Sequence, residues 1–510
     1  MATTINLDHK LVRQRVERKN EEEHRRSGHR PEHRVGHRVR GLTSSINVRA
    51  TCSLEKASLY NFTVRVEARK QYHSKKNKHQ KQKGVDNGNG SGPAPPPFPD
   101  YNQTQSTVFN IMSFGAKGNG VFDDSKALLA AWEAACENTG ATLEIPSQYK
   151  FLIKPITLKG PCMPQLVLQI DGAVLAPTRV SSWPKSSLFQ WLNFKWLHNF
   201  TIQGSGTVDG MGFNWWARSR FDNNKKKMKN TPDMKPTALR FYSSFNVTVR
   251  DITIINSPQC HLKFDNSGTV LVDNITISSP ENSPNTDGIH LQNTQDVEIQ
   301  HSNISCGDDC VSIQTGCSNI HIHHINCGPG HGISLGGLGK DRTAACVSNI
   351  VVENISIQNT LSGVRIKTWQ GGVGSSKNVS FSKIQVCDVK VPIMIDQYYC
   401  DKYRCNNQTG AVAISGITYN QIIGSYTVQP IHLACSTQIP CIDVDLIDIQ
   451  LNPSSQSTAF QSSLCWNSYG KSQAPLLPSS IDYCLRSGGG GGGGPVRRIA
   501  RSHDYDYVCY

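Results

Sequence analysis

From about residue 107 onward the chain is built of short alternating segments. Asn246 opens NVTVRDITI, Thr269 opens TVLVDNITI, Asn319 opens NIHIHHINC, Asn349 opens NIVVENISI and Asn378 opens NVSFSKIQV. Each holds two short runs in which apolar and polar residues alternate, joined by a bend, and so predicts two half-buried strands. DVEIQHSNIS from Asp296 reads as the same unit with one residue added. A second set lies between them: GIHL at Gly288, CVSI at Cys310, GISL at Gly332, GVRI at Gly363 and PIMI at Pro392, at intervals of 22, 22, 31 and 29 residues. Strands that recur at such intervals predict an all-β fold, a parallel β-helix of roughly ten coils in which each strand pairs with its counterpart one coil later. A β-sandwich would need antiparallel hairpins and would leave the recurrence unexplained. A propeller, with about four strands per 40–50 residues, fits less well. Helical apolar spacing occurs only at DSKALLAAWEAACE, from Asp124 to Glu137. That predicts one short helix, with Asp124 as its N-cap, covering the N-terminal end of the coil stack.

Alternation also gives the facing. Ile289, Leu291, Val311, Ile313, Ile333, Leu335, Val364 and Ile366 point inward, and His290, Ser312, Ser334 and Arg365 stack outward in a column. Asp287, Asp309 and His331 each immediately precede the same strand in three consecutive coils. They are expected to form a ladder with neighbours about 5 Å apart. Asp308 stands beside Asp309, and Arg365 and Lys367 follow in the next coil, outward by parity. Either NTDG or CGDD alone would read as turn chemistry. Three acids stacked in neighbouring coils repel one another, and a chain selected for stability alone would avoid them. Carboxylates around one bond are what glycoside hydrolysis requires: one protonated to donate to the leaving oxygen, another ionised to activate water or attack. The adjacent cations point to an anionic sugar. His321, His323 and His324 fall on the other strand family and read as surface residues. Gly336 to Lys340, GGLGK, lacks the frame of a phosphate loop.

Charge and composition narrow the picture. The net charge of +14 suggests a nucleic-acid partner until it is located: residues 1–100 carry 21 basic and 10 acidic side chains, whereas residues 101–485 carry 28 and 27. The repeat therefore has no basic footprint. No run approaches the eighteen or so apolar residues of a membrane-spanning helix. Residues 1–66 form a basic extension, 67–104 a basic and then Gly/Pro-rich linker, 105–485 the repeat domain, and 486–510 a disordered tail opened by seven glycines, Gly488–Gly494.

The motifs Asn285-Thr286-Asp287-Gly288, Gly307-Asp308-Asp309-Cys310, Gly330-His331-Gly332 and Arg365-Ile366-Lys367 occur in this order and at these spacings. They closely resemble the four signatures of the polygalacturonases of glycoside hydrolase family 28. CGPGHGISLG and GVRIKTWQGG are similar to the plant branch. The resemblance covers about residues 105–485. It implies a right-handed parallel β-helix that hydrolyses α-1,4-linked galacturonan with inversion, without metal or other cofactor. It also implies Asp308 as general acid, Asp287 and Asp309 holding and activating water, and His331 supporting the acid. Asn285 belongs to the substrate-binding motif, Arg365 and Lys367 would bind the uronate carboxylate, and Tyr399 in IMIDQYY maps to a substrate-side tyrosine. Cys310 and Cys327 match a pair that is bridged in relatives. The expected partner is a polyanionic pectic polysaccharide, with no nucleic acid or membrane, and the expected state is a monomer. The alternatives are a hydrolase of rhamnogalacturonan or another pectic backbone, a pectate lyase, which would need calcium and a strong base, and a catalytically inactive pectin-binding wall protein.

Fifteen of the 17 cysteines lie between residues 136 and 484, and Cys400/Cys405 and Cys435/Cys441 frame small loops expected to be bridged. That usage fits an oxidising compartment. Zinc is the rival reading for Cys306, Cys310, Cys317 and Cys327, whose spacing is not that of paired C-x2-C ribbons. Asn-x-Ser/Thr sequons at Asn199, Asn246, Asn274, Asn303, Asn354, Asn378 and Asn407 agree with a secreted chain, although several fall inside the repeat itself, and the resemblance implies the plant cell wall as its location. No secretory leader is visible in residues 1–50. Val66-Glu67-Ala68 before Arg69-Lys70 resembles the end of a cleavage region. The expectation is that residues 1 to about 65 stem from an incorrect start or exon choice and that an apolar leader joins near Ala68.

Overall fold

The structure is a computed structural model and describes residues 107–183, 190–220, 235–400, 408–455, 460–481, 485 and 509. The basic extension, the linker, the glycine run and Cys405 lie outside the described residues. Within them the chain winds as a right-handed parallel β-helix. Eleven strands, from Ile156–Lys159 to Leu464–Trp466, pair in unbroken succession into one parallel sheet, and the remaining described strands form a second.

The inward positions are those that alternation assigns. Ile289, Val311, Ile333 and Val364 are in register and fully buried, as are Leu291, Ile313, Leu335 and Ile366. Near the N-terminal end the same interior column is aromatic: Phe194, Phe241 and Phe264 stack with centroids 4.8 and 5.0 Å apart. Helix Ser125–Cys136 buries Leu128, Ala131, Trp132 and Ala135, and Trp132 meets Phe194 and Phe200 edge-on. It therefore covers the first coils as expected. Asp124 is not its side-chain cap, however. Its carboxylate turns back to accept from Lys117 N and Gly118 N at 2.7 and 3.1 Å. A second helix, Phe213–Arg220, was not anticipated, because its eight residues are too few for a periodic pattern to stand out.

Asparagine opens so many units for a backbone reason. Asn199, Asn246, Thr269, Asp296, Asn319, Asn349 and Asn378 occupy one column, and all have φ between 51° and 58°. Asparagine tolerates this left-handed region better than other residues with a side chain. The side chains also bond from coil to coil: Asn319 Nδ2 to Asp296 Oδ1 at 2.9 Å, Asn349 Nδ2 to Asn319 Oδ1 at 3.0 Å and Asn378 Nδ2 to Asn349 Oδ1 at 3.2 Å. The sequons at Asn246 and Asn378 thus lie in a structural ladder. Asn349→Ala is expected to lower stability by about 1–2 kcal/mol, mostly through the unfavourable φ. Asn349→Gly, free of that penalty, should lose less in thermal melts, and equal losses would assign the effect to the side-chain bonds instead.

The Asp296 unit contains no added residue. Thr253, Thr276, Asn303 and Asn326 pair in straight register, as do Val247, Val270 and Val297. Ser302 fills the inward place held elsewhere by Ile252, Ile275 and Ile325, and hides its polarity by donating to Gln300 O at 2.7 Å and accepting from Ile275 N at 3.1 Å. A serine in an apolar position is what made the unit look offset.

Bridges join Cys310 to Cys327, Cys435 to Cys441, Cys136 to Cys162 and Cys346 to Cys509. Cys400 is also disulfide-bonded. Cys509 belongs to the tail read as disordered, and its bridge ties that position to the coil stack. Cys260, Cys306 and Cys317 are buried free thiols. With Cys310 and Cys327 bridged, the four-cysteine zinc reading fails.

Candidate active site

Three consecutive strands of the eleven-stranded sheet bring the chemistry together. Ile289 pairs with Val311 and Val311 with Ile333, so Asp287, Asp309 and His331, each two residues earlier, are brought alongside one another. The pairing continues into the turns, where Gly288 N donates to Asp309 O at 2.9 Å and Cys310 N to Gly332 O at 2.8 Å. The glycines of these motifs permit the close approach. A Cβ on Gly307 would lie 1.9 Å from Ser283 O, and Gly332, at φ +83°, would place one 2.0 Å from Ser362 O.

The three carboxylates have different surroundings. Asp309 is almost wholly buried, and both its oxygens are taken. Arg365 Nη2 and Ser334 Oγ donate to Oδ1 at 2.5 and 2.8 Å, and Lys367 Nζ donates to Oδ2 at 3.1 Å. Arg365 Nε also donates to Ser334 Oγ at 3.0 Å. The cations expected to face a uronate therefore already pair with an internal carboxylate, and Asp309, expected to activate water, is committed to them. Both follow from parity: outward residues of neighbouring coils stack on one another before they meet solvent.

Asp308 accepts from His331 Nδ1 at 2.9 Å and from Asp309 N at 2.9 Å on Oδ1, and from Asn285 Nδ2 at 3.1 Å on Oδ2. Burial works to raise its pKa. The His331 hydrogen bond and charge, with Lys367 and Arg365 behind them, outweigh burial and bring it down to about 2. Asp287 goes the other way. Burial raises its pKa, His290 at 3.1 Å from Oδ2 offsets part of this, and the neighbouring Asp308 and Asp309 charges raise it again. Of the two carboxyls, Asp287 is thus made the weaker acid and Asp308 the stronger.

Tyr399 joins the site through Lys367, whose Nζ lies 5.4 Å from the ring centroid, and it packs edge-on against Trp369 at 5.3 Å. His290 and Ser334 were visible in the outward column, yet their contacts with Asp287 and Asp309 were not foreseen. Cys306 donates from Sγ to Asp308 O at 3.2 Å, and burial pushes its thiol pKa up, so it supports the turn as a neutral group. Asp308, Asp309 and His331 offer ligand atoms close enough together for a metal ion. The guanidinium and ammonium already on Asp309 would repel a divalent cation there.

A family model described as glycosyl hydrolases family 28 matches residues 136–467. A probable polygalacturonase of Arabidopsis thaliana is 40% identical over 73% of this chain and 83% of its own length. Polygalacturonase-2 of Solanum lycopersicum is 39% identical over 68% of this chain and 75% of its own. Among solved structures, an endo-xylogalacturonan hydrolase from Aspergillus tubingensis superposes with a TM-score of 0.61 at 21% identity, covering 71% of this chain and 96% of that one. A polygalacturonase from Erwinia carotovora gives 0.57 at 23% identity, covering 72% and 97%. These two show the shared fold.

Proposed function

Because the chain belongs to glycosyl hydrolases family 28 and is a glycoside hydrolase, we propose that it cleaves α-1,4-galacturonosyl linkages of pectic polysaccharide in the plant cell wall, with inversion. The observation that carries this reading is the junction of Asp287, Asp308 and His331 with the buried Asp309–Arg365–Lys367 group. Asp308 donates the proton to the leaving oxygen, supported by His331 and Asn285. Asp287 holds and activates water. Asp309 fixes the two cations, whose remaining donors, with Tyr399, receive the sugar carboxylate. Asp308 must gain a proton to act as the acid. An incoming uronate drives this by adding negative charge and drawing on Arg365 and Lys367, the cations that help keep Asp308 ionised.

The opposite directions of the two pKa shifts favour a second reading in which Asp287, the carboxyl pushed up, is the acid and Asp308 the base. Both readings predict chelator-insensitive release of reducing ends from polygalacturonate, with an inverted anomer in the first product by NMR. Unsaturated products would establish a lyase. A retained anomer would make one carboxylate a nucleophile. Binding without turnover would mark an inactive wall protein, and faster cleavage of a rhamnogalacturonan backbone would place the substrate class elsewhere.

A further inference from the structure

The second sheet carries a group of side chains that the hydrolytic reading does not use. Strand Gln295–Gln300 pairs with Cys317–His323, and that strand pairs with Ala344–Gln358. Register sets Glu298 beside His321, Gln300 beside His323 and His323 beside Glu353, all at outward positions. The side chains then cross. His323 Nε2 lies 3.1 Å from Glu298 Oε1, and His321 Nε2 lies 3.0 Å from Glu353 Oε1. The His321 and His323 ring centroids are 4.3 Å apart, and His323 Nδ1 is 2.7 Å from His324 Nδ1. His301 stacks on His324 at 5.2 Å. An imidazole nitrogen, a second imidazole nitrogen and a carboxylate oxygen, from His321, His323 and Glu298, all lie within 4.8 Å of one another.

We propose that Glu298, His321 and His323 form a binding site for a divalent transition-metal ion of the zinc class. Two imidazoles and one carboxylate, open to solvent on the remaining side, are a donor set such ions accept, and imidazole selects against calcium and magnesium. Tetrahedral ligands at zinc bond lengths stand roughly 3.3 Å apart. The group must therefore draw in by about 1–1.5 Å, and Glu298, whose side chain is 49% exposed, has room to turn. Glu353 plays the orienting part, accepting from one His321 nitrogen while the other faces the ion. His323 can present Nε2 without a change of charge. A carboxylate only accepts, so Nε2–H now donates to Glu298, and the Nδ1 lone pair faces His324. Moving the His323 proton to Nδ1, and the His324 proton away from it, frees Nε2 for the metal and keeps the two rings hydrogen-bonded. The ion would bind across neighbouring coils and so stabilise the stack by mass action.

Isothermal titration of the full chain with zinc chloride, and separately with calcium chloride, at neutral pH tests the site. One zinc ion per chain, a raised melting temperature and no calcium uptake at this site are expected. The double variant His321→Ala/His323→Ala should abolish both the zinc binding and the melting shift while leaving turnover of polygalacturonate unchanged. Glu353→Gln should weaken zinc about 10–100-fold. Zinc binding of equal affinity in the double variant, or none in the wild type, would overturn the proposal. The unchanged turnover separates a folded variant from a misfolded one.

Discussion

Replacing Asp308 by asparagine is expected to cut kcat on polygalacturonate by about 10²–10⁴-fold, with the melting curve close to wild type. The amide keeps the size of the carboxyl and can still accept from Asp309 N, but it cannot give up a proton to the leaving oxygen. Protonation of that oxygen matters less as the leaving group becomes more acidic. Asp308→Asn should therefore keep much of its turnover on an aryl galacturonide with a good leaving group, whereas Asp287→Asn, short of water activation, should lose both substrates. The reverse pattern would move the acid role to Asp287, the carboxyl whose pKa is pushed up. Near-normal turnover in both variants would remove the site from consideration. The pH profile adds a second reading. Asp287 is raised first by burial and then by the Asp308 charge, and asparagine removes the second contribution. The pKa of Asp287 should then fall, and the limb of the pH–rate profile that reports its ionisation should move to lower pH in Asp308→Asn. A limb that stays in place would show that the two carboxyls are not coupled.

The coil architecture was legible because one physical fact repeats many times. Period-2 alternation and a recurring strand fixed both the inward column from Ile289 to Ile366 and the ladder of Asp287, Asp309 and His331, and the register agrees residue by residue. What the sequence left open is what stacked outward residues do to one another. Arg365 and Lys367 were read toward a ligand because parity gives direction but not the nearest partner. The partner is Asp309, two coils away in space and more than fifty residues away in sequence. The offset inferred for the Asp296 unit had a similar origin, since Ser302 is polar by type and inward by position. Charge assignment was the least legible. Burial works to raise both Asp287 and Asp308; His331 and the cations reverse the sign at Asp308, whereas His290 offsets only part of it at Asp287.

Arg365→Met is expected to damage stability and turnover together. The Arg365 and Asp309 side chains are 8% and 3% exposed, so their pairing is a buried one. Removing one member of such a pair costs about 3–5 kcal/mol, because the other charge stays buried with less compensation. Lys367, at 3.1 Å, and Ser334 remain on Asp309, which puts the expected loss toward the lower end of that range. If Arg365 served only to receive the uronate, its loss would raise KM and leave both the melting temperature and kcat alone. The geometry predicts a lower melting temperature and a lower kcat as well, since a displaced Asp309 also shifts Asp308, whose Oδ1 accepts from Asp309 N. The decisive measurement is the double variant Asp309→Asn/Arg365→Met. Lys367 then loses its carboxylate, so full recovery is not expected, but the double loss should be smaller than the sum of the two single losses while turnover stays low. Melting temperatures that add as though the two sites were independent would show that Asp309 and Arg365 do not act as a pair.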